Sequence, residues 1–345
     1  MRWLVVHPGP SFSVQDVHDG WVAALRELGE QVHEYNLGDR LNAYGNALLE
    51  IGQRPSGAID LRRMYTPDQV VELAVNGLYA ALYKIRPDIM LVISAFYVPA
   101  ELLELARRSG TAVILLHTES PYEDARQLKL APYADMNLLN DPIHIEDYLA
   151  VGQALYLPHA YRPDVHHPGP PVDGYRSDFA FVGTGSASRI TFFEQLDLSG
   201  LDVLLAGNWA QLSNDSPLVK HVAHHLHECL DNAKTADVYR SATAGLNLYR
   251  REAQDPELVQ GSALGPREVE MAACGLFFLR DPRPEGDELL SMLPTFTTAG
   301  EASELLRWWL AHDSAREQAA AAARAAIETR TFRNHAAALL RRIVQ

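Results

Sequence analysis

An arginine and two glutamates open one predicted helix, in Gly-Pro-Arg-Glu-Val-Glu (residues 265–270). The Gly-Pro pair predicts a loop that runs into a helix, because proline is well tolerated in the first turn. The positive end of such a helix, with Arg267 beside it, attracts an anion such as a diphosphate. Glu270 can accept two hydrogen bonds from a ribose diol, and Glu268 is assigned to the same donor site. These side chains predict a nucleotide-sugar site; the alternative is a capped helix with a solvated acidic turn.

A second candidate is the glycine-rich loop Gly-Thr-Gly-Ser-Ala-Ser-Arg (residues 183–189), which follows one predicted strand and opens a helix. Glycines let backbone N–H groups approach phosphate oxygens. Arg189, Arg250 and Arg267 together would offset the charge of a leaving nucleoside diphosphate. The loop lacks the third glycine of a dinucleotide fingerprint, and the sequence contains no Asp-x-Asp motif, so metal-independent chemistry without a cofactor is predicted. The residues assigned to the donor phosphates here are Gly183, Gly185, Ser186, Arg189 and Arg250.

Polar residues also follow two strands of the first half, in residues 7–13 and 117–122. Sugar transfer passes through an oxocarbenium-like state, which a nearby carboxylate can stabilise, or the carboxylate can deprotonate the acceptor. Glu119 is the first catalytic candidate and His117 the second. The alternative is that both side chains only fix a loop. The residues assigned to acceptor binding are Ser11, Phe12 and Asp16.

Strand and helix signals alternate along the chain, which predicts parallel sheets with helices on both faces. The first half contains a complete Rossmann-like set of elements, and five prolines then interrupt residues 158–178. A second set of strands and helices begins at about residue 179. We therefore expect an acceptor-binding domain over residues 1–160 and a nucleotide-sugar-binding domain over residues 161–330, facing each other across a cleft. A C-terminal helix over residues 331–345 is expected to return to the first domain.

Composition narrows the functional class. A length of 345 residues with 47% hydrophobic residues suits two buried cores, and no apolar run is long enough to span a membrane. The formal charge of −14 argues against generic nucleic-acid binding. The apolar segment at the start of the sequence is too short for a secretion signal, and two cysteines provide no disulfide framework. A cytoplasmic location is therefore expected.

A histidine-rich run contains two pairs of histidines at a helical spacing, followed by a cysteine. This spacing fits either a metal site or a solvated helix face, and the helix face is favoured because no cluster of carboxylates and no second cysteine lies nearby in sequence. No metal site is therefore predicted. The run consists of His221, His224, His225, His227 and Cys229.

Several segments in a fixed order resemble the CgeB-like (spore-maturation-type) glycosyltransferases, which are two-domain GT-B proteins. In the second half these are residues 178–184 with Arg189, residues 239–241, residues 246–250 and residues 265–275. In the first half they are residues 118–124, 140–141 and 157–161. The resemblance implies a nucleotide-diphosphate sugar donor that is held mainly by the second domain.

The sequence around the helix that contains Glu270 differs at one position from a pattern of many retaining GT-B enzymes. Many retaining GT-B enzymes carry two glutamates eight positions apart at this helix, and Glu270 matches the second of them. Ser262 stands where the first would be, and the family that this chain resembles commonly has an arginine before the helix, as at Arg267. The ribose contact therefore carries over to Glu270. Neither retention nor inversion is predicted.

The predicted function is transfer of a sugar, of hexosyltransferase type, from a nucleotide-diphosphate donor such as a UDP-sugar. The acceptor is left open among a protein, a surface glycan, a small molecule and a modified DNA base. Two alternatives remain: a nucleotide-sugar epimerase of the same fold, and a non-catalytic nucleotide-sugar binder. Release of nucleoside diphosphate that increases with an acceptor distinguishes the transferase from both.

Overall fold

The computed structural model describes residues 1–9, 14–252 and 260–344. The chain divides into two compact units, Met1–Leu157 and Pro158–Gln345, three residues before the predicted boundary at residue 160. Each unit has its own parallel sheet and its own buried core. The predicted α/β fold with parallel sheets is confirmed.

The first unit contains a six-stranded parallel sheet and a separate antiparallel hairpin. Its strands are β1 (Arg2–Val6), β2 (Gln31–Tyr35), β3 (Leu48–Gln53), β4 (Ile59–Arg63), β5 (Ile89–Ile93), β6 (Ala112–His117), β7 (Met136–Leu139) and β8 (Ala154–Tyr156). The order across the sheet is β2-β1-β5-β6-β7-β8, and β3 pairs with β4. All five residues of β5 are apolar and buried, as expected for a central parallel strand that is covered on both faces.

The described residues of this unit form six α-helices. They are α1 (Gln15–Glu27), α2 (Leu37–Gly45), α3 (Pro67–Ile85), α4 (Ala100–Arg108), α5 (Asp124–Gln127) and α6 (Ile145–Leu149). The start of α3 is fixed by a capping box in which Thr66 and Gln69 satisfy each other's backbone N–H groups. The apolar spacing and flanking residues of the sequence predict helices over residues 14–28, 66–85 and 99–109, which match α1, α3 and α4 to within about two residues at each end. The sequence does not predict α2, the hairpin, α5 or α6.

The second unit contains a four-stranded parallel sheet in the order β10-β9-β11-β12. Its strands are β9 (Ser177–Val182), β10 (Val203–Ala206), β11 (Ala242–Asn247) and β12 (Phe278–Arg280). Its helices are α7 (Ala187–Gln195), α8 (Asn232–Ser241), α9 (Pro266–Cys274), α10 (Pro284–Leu289), α11 (Ala299–Leu310), α12 (Asp313–Ala326) and α13 (Phe332–Val344). The apolar run over residues 276–279 predicts the last strand, which begins two residues later because Gly275 ends α9 in the left-handed conformation and a short connection follows.

The start of α13 is tied to the beginning of the second unit. The Tyr161 amide donates to the Arg330 carbonyl at 2.9 Å, and Thr331 forms a bridge with Tyr161. The expected packing of this last helix on the first domain stays a prediction. Over the described ranges, the structure has no helix with the length and apolar character needed to cross a bilayer.

The histidine-rich run does not form the helix face that the sequence predicted. A 3₁₀ turn ends at His221, and turns and extended chain follow up to α8. The His224 imidazole accepts a hydrogen bond from the Gly207 amide at 3.0 Å, so this side chain braces a loop. Within the part of the chain that the structure describes, no group of three or more potential ligands is arranged to hold a metal ion.

Candidate functional site

Helix α9 begins and ends where its sequence predicts. Gly265 is the N-cap in an extended conformation, Pro266 is the first helical residue, and Gly275 terminates the helix with φ of 79°. The carboxylate of Glu268, the third helical residue, accepts a hydrogen bond from the Gly265 amide at 2.8 Å. This half of a capping box satisfies a backbone donor that the helix itself leaves unpaired.

Arg267 and Glu270 form an ion pair along α9. The Arg267 Nη1 donates to Glu270 Oε2 at 2.6 Å. The sequence predicts Glu270 on the first turn of the helix, but it is the fifth helical residue and thus lies on the second turn. Its side chain is 7% exposed, whereas that of Arg267 is 27% exposed. Burial raises the pKa of the Glu270 carboxyl, and the neighbouring guanidinium opposes this rise.

Glu268 has a different environment from Glu270 although only one residue separates them. It is fully buried and accepts hydrogen bonds from the Tyr249 hydroxyl and the Gly265 amide. Burial raises the pKa of Glu268 to about 7, although these hydrogen bonds act in the opposite direction. These contacts favour a role in capping α9 and joining it to the segment after β11. A direct contact of Glu268 with the donor stays a prediction.

Arg189 joins the glycine-rich loop to the end of β11. Its Nε and Nη2 donate to the Leu248 carbonyl at 3.0 and 2.6 Å, and Nη1 donates to the Thr184 carbonyl at 3.0 Å. The guanidinium therefore braces the loop after β9 against the segment after β11. This contact brings the glycine-rich loop (residues 183–189) to the same edge of the sheet as Arg250, which follows the neighbouring strand β11.

The glycine-rich loop packs closely on an aromatic side chain. A Cβ at Gly185 would collide with the ring of Trp209, which is fully buried. Glycine is thus required at this position by packing alone, before any ligand is considered. Gly183 and Ser186 lie at the two ends of the same turn, between β9 and α7.

A carboxylate that sequence reasoning missed lies at the start of α7. Glu252 Oε1 accepts the Ser188 amide at 2.8 Å, and Ser186 and Ser188 also form side-chain hydrogen bonds with it. Burial opposes ionisation, but these hydrogen bonds outweigh it and hold the pKa of Glu252 at about 2. Backbone and hydroxyl donors at this helix start therefore stabilise an anion, and the phosphate that the sequence predicts there stays a prediction.

Further arginines follow the strand ends of the second sheet. Arg250 is half-buried and comes three residues after β11. Arg251 Nη2 donates to both carboxylate oxygens of Asp281 at 2.9 and 2.7 Å. The Arg283 guanidinium lies 3.8 Å from the centre of the Tyr249 ring. Because these residues follow the carboxyl ends of parallel strands, several guanidinium groups lie at the edge where ligands of such sheets bind, and the Asp281 carboxylate pairs with one of them.

The catalytic candidates of the first unit have unequal exposure. His117 is buried, and its Nε2 lies 2.8 Å from Asn137 Oδ1. Burial lowers the pKa of this imidazole. These contacts favour the alternative that His117 fixes the end of β6.

Glu119 and Asp16 are half-buried, the latter in the first turn of α1. Ser11 and Phe12 lie outside the described residues.

A cavity of about 490 Å³ lies at the other end of the second sheet. It is lined by Ala242, the first residue of β11, and by Cys274, the last residue of α9. The candidate donor residues instead follow the end of β11 and precede or begin α9. The cavity is therefore separate from the candidate donor site.

Comparison with protein families identifies the second unit more closely. Residues 189–341 match the family model described as Glycosyl transferase-like. A comparison with curated proteins found no match. The matched range contains Arg250, Arg267 and Glu270, and the prediction of a glycosyltransferase is confirmed at this level. The narrower CgeB-like assignment stays a prediction.

Solved structures resemble the whole chain. An E. coli structure described as trehalose-6-phosphate bound with UDP-2-fluoro glucose has a TM-score of 0.63 at 10% identity, covering 100% of this chain and 99% of that one. Anabaena HepE in complex with UDP-glucose has a TM-score of 0.62 at 11% identity, with coverages of 100% and 99%. A putative UDP-N-acetylglucosamine 2-epimerase from Listeria monocytogenes has a TM-score of 0.63 at 14% identity, with coverages of 99% and 95%. The predicted GT-B fold class is confirmed.

Proposed function

We propose that the protein transfers a sugar from a nucleoside-diphosphate donor, specifically a UDP-sugar, to a hydroxyl-bearing acceptor. The observation that carries this proposal is the Arg267–Glu270 pair on α9, beside the arginines that follow β11. Two of the similar structures hold a UDP-sugar or its fluorinated analogue, which supports the choice of nucleotide. The narrower family, CgeB-like, is part of the same proposal.

The donor's diphosphate would lie between the start of α9 and the start of α7. Arg267 is exposed enough to reach a phosphate, and the positive end of α9 favours negative charge there. At α7, a phosphate oxygen would take the place of the Glu252 carboxylate on the Ser188 amide. Arg250 and Arg189 add positive charge from the neighbouring strand end, and Gly183, Gly185 and Ser186 form the turn below it.

The ribose would bind to Glu270. One carboxylate oxygen, Oε2, is held by Arg267, and no described residue donates a hydrogen bond to Oε1. The Arg267 guanidinium opposes the rise in the pKa of Glu270 that burial causes. An ionised carboxylate accepts hydrogen bonds from two adjacent hydroxyl groups more strongly than a neutral group does.

Arginines would replace a metal ion in this reaction. A leaving nucleoside diphosphate develops negative charge, and planar guanidinium groups bind phosphate oxygens in a bidentate manner. The first unit would bind the acceptor, which we leave open among a protein, a surface glycan, a small molecule and a modified DNA base. Glu119 would stabilise the positive charge of the reacting sugar. A cytoplasmic location is proposed because Cys229 and Cys274 are both free.

An epimerase is the second candidate, and the similarity to the putative 2-epimerase favours keeping it. A product assay separates the two. The protein is incubated with UDP-glucose, UDP-galactose or UDP-N-acetylglucosamine, with and without an acceptor extract, and UDP and sugar products are quantified. UDP release that increases with the extract supports transfer. An altered sugar that remains linked to UDP would support an epimerase, and binding without any product would support a non-catalytic binder.

A further inference from the structure

The first unit contains a buried carboxylate that is surrounded by hydrogen-bond donors. Asp124 is 2% exposed. Its Oδ1 accepts hydrogen bonds from Ser120 Oγ at 2.6 Å, Tyr148 Oη at 2.8 Å and Gln127 Nε2 at 3.0 Å. Its Oδ2 lies 2.8 Å from His144 Nδ1. Four side chains thus converge on a single carboxylate.

This network determines which nitrogen of His144 carries the proton. A carboxylate can only accept hydrogen bonds, so Nδ1 must donate to it. Burial raises the pKa of the Tyr148 phenol, which keeps that hydroxyl protonated and donating as well. The remaining nitrogen, Nε2, then holds a lone pair in the neutral imidazole. The imidazole is 25% exposed, and no described residue forms a hydrogen bond with Nε2.

The pair lies where ligands of a parallel sheet bind. Asp124 is the first residue of α5, shortly after β6, and His144 immediately precedes α6, shortly after β7. Strands β6 and β7 are parallel neighbours, so the two residues connect adjacent loops at the carboxyl edge of the sheet. A buried acid that orients a partly exposed imidazole through Nδ1 is the arrangement that general bases require.

We propose that His144 is the general base of the transfer reaction and that Asp124 is its positioning residue. The inference rests on the proposed glycosyl transfer. In a direct displacement, the acceptor's hydroxyl proton moves to Nε2 while the acceptor oxygen forms a bond to the anomeric carbon. The bond between that carbon and the phosphate oxygen breaks, and the nucleoside diphosphate leaves with the electron pair. Glu119 keeps its electrostatic role, whereas His117 has its Nε2 engaged by Asn137.

Steady-state kinetics of UDP release test this role, with water as the acceptor and with UDP-glucose, UDP-galactose and UDP-N-acetylglucosamine as donors. We expect His144→Gln to lower kcat about 100-fold, the scale of general-base effects, with an unchanged KM for the donor. His33→Gln, on β2 of the same unit, is the matched control and should keep the normal rate. Calorimetry with UDP should give the same affinity for wild type and His144→Gln.

A second variant separates catalysis from folding. Glycine is accepted at a helix N-cap, the position of His144, so His144→Gly should fold. Added imidazole should restore part of its rate, which it would not do for a residue that only holds two loops together. Nitrogen NMR of the wild type should show the proton of His144 on Nδ1.

Three results would overturn the inference: a near-normal kcat in His144→Gln, no rescue of His144→Gly by imidazole, or a proton on Nε2. Failure of the proposed function looks different. In that case the wild type neither binds UDP nor releases it from any of the three donors.

Discussion

The Arg267 guanidinium donates to the buried Glu270 carboxylate at 2.6 Å, from one turn earlier on α9. The ion pair therefore holds both side chains in place, and the guanidinium opposes the rise in the Glu270 pKa that burial causes. Losing one partner would leave the other as an uncompensated charge, so substitutions here affect both binding and stability. An alanine variant at either position therefore needs a measurement of folding, such as thermal unfolding, beside the binding measurement.

Glu270→Gln should reduce the preference for ribose over deoxyribose. The wild type is expected to bind UDP more tightly than 2′-deoxy-UDP, because a hydrogen bond to a charged group contributes about 1.5–3 kcal/mol. In calorimetric titrations, the ratio of the affinity for UDP to the affinity for 2′-deoxy-UDP should be about tenfold smaller in the variant. Glu317→Gln, on the exposed face of α12, is the control. Unchanged selectivity and turnover in Glu270→Gln would leave this residue a structural role only.

Glu252→Gln should strengthen UDP binding. Its carboxylate occupies the Ser188 amide that the donor phosphate is proposed to take. Removing one like charge at a distance of about 4 Å in water is worth about 1 kcal/mol, or about fivefold in affinity. Isothermal titration calorimetry with UDP measures this, with Glu228→Gln as a surface control. Equal or weaker binding in Glu252→Gln would show that the carboxylate does not compete with the ligand.

Glu268 should make stability depend on pH. Its pKa is raised to about 7 in the folded protein, so the folded state holds this proton more tightly than the unfolded state. The protonated carboxyl of Glu268 therefore adds to the free energy of unfolding. This contribution is complete below about pH 4, near the usual pKa of a glutamate, and is lost as pH rises through 7. Urea unfolding across pH 4–8 should show wild type losing stability relative to Glu268→Gln. If the difference in the free energy of unfolding between wild type and Glu268→Gln is the same at every pH, the raised pKa of Glu268 is contradicted.

Glu119→Gln should slow turnover without weakening donor binding. If the carboxylate stabilises the reacting sugar, kcat should fall about 100-fold while the affinity for UDP stays the same. Glu101→Gln, on the exposed side of α4, provides the comparison for UDP release. A normal rate in Glu119→Gln would reduce this residue to a loop contact.

The regular elements of both sheets could be predicted because their signals are local. Continuous apolar runs such as that of β5 and the Gly-Pro and Gly275 boundaries of α9 are visible in a short window. The hairpin of β3 and β4 was missed because apolar residues such as Leu48 and Ile59 are exposed there, so no burial pattern marks it. Every residue of β3 and β4 except Asp60 is exposed, so neither strand has a buried face.

The candidate site was predictable only in part. Arg267 and Glu270 share one helix, so their spacing alone places them together. The contacts of Glu252 with Ser188 and of Arg189 with Leu248 span 64 and 59 residues, and only the folded sheet brings them together. The capping role of Glu268 had a local signal, since a glutamate at the third helical position is typical of a capping box, but its Tyr249 partner did not.

The central claim is that α9 and the end of β11 bind the diphosphate of a UDP-sugar. Calorimetric titration of UDP into wild type, Arg267→Ala and Arg250→Ala tests it most directly, with Arg341→Ala on α13 as an exposed control. Charge-assisted hydrogen bonds of about 1.5–3 kcal/mol predict a loss of about tenfold or more in each of the two site variants and none in the control. Wild-type affinity in both site variants, or no UDP binding by the wild type, would contradict the account.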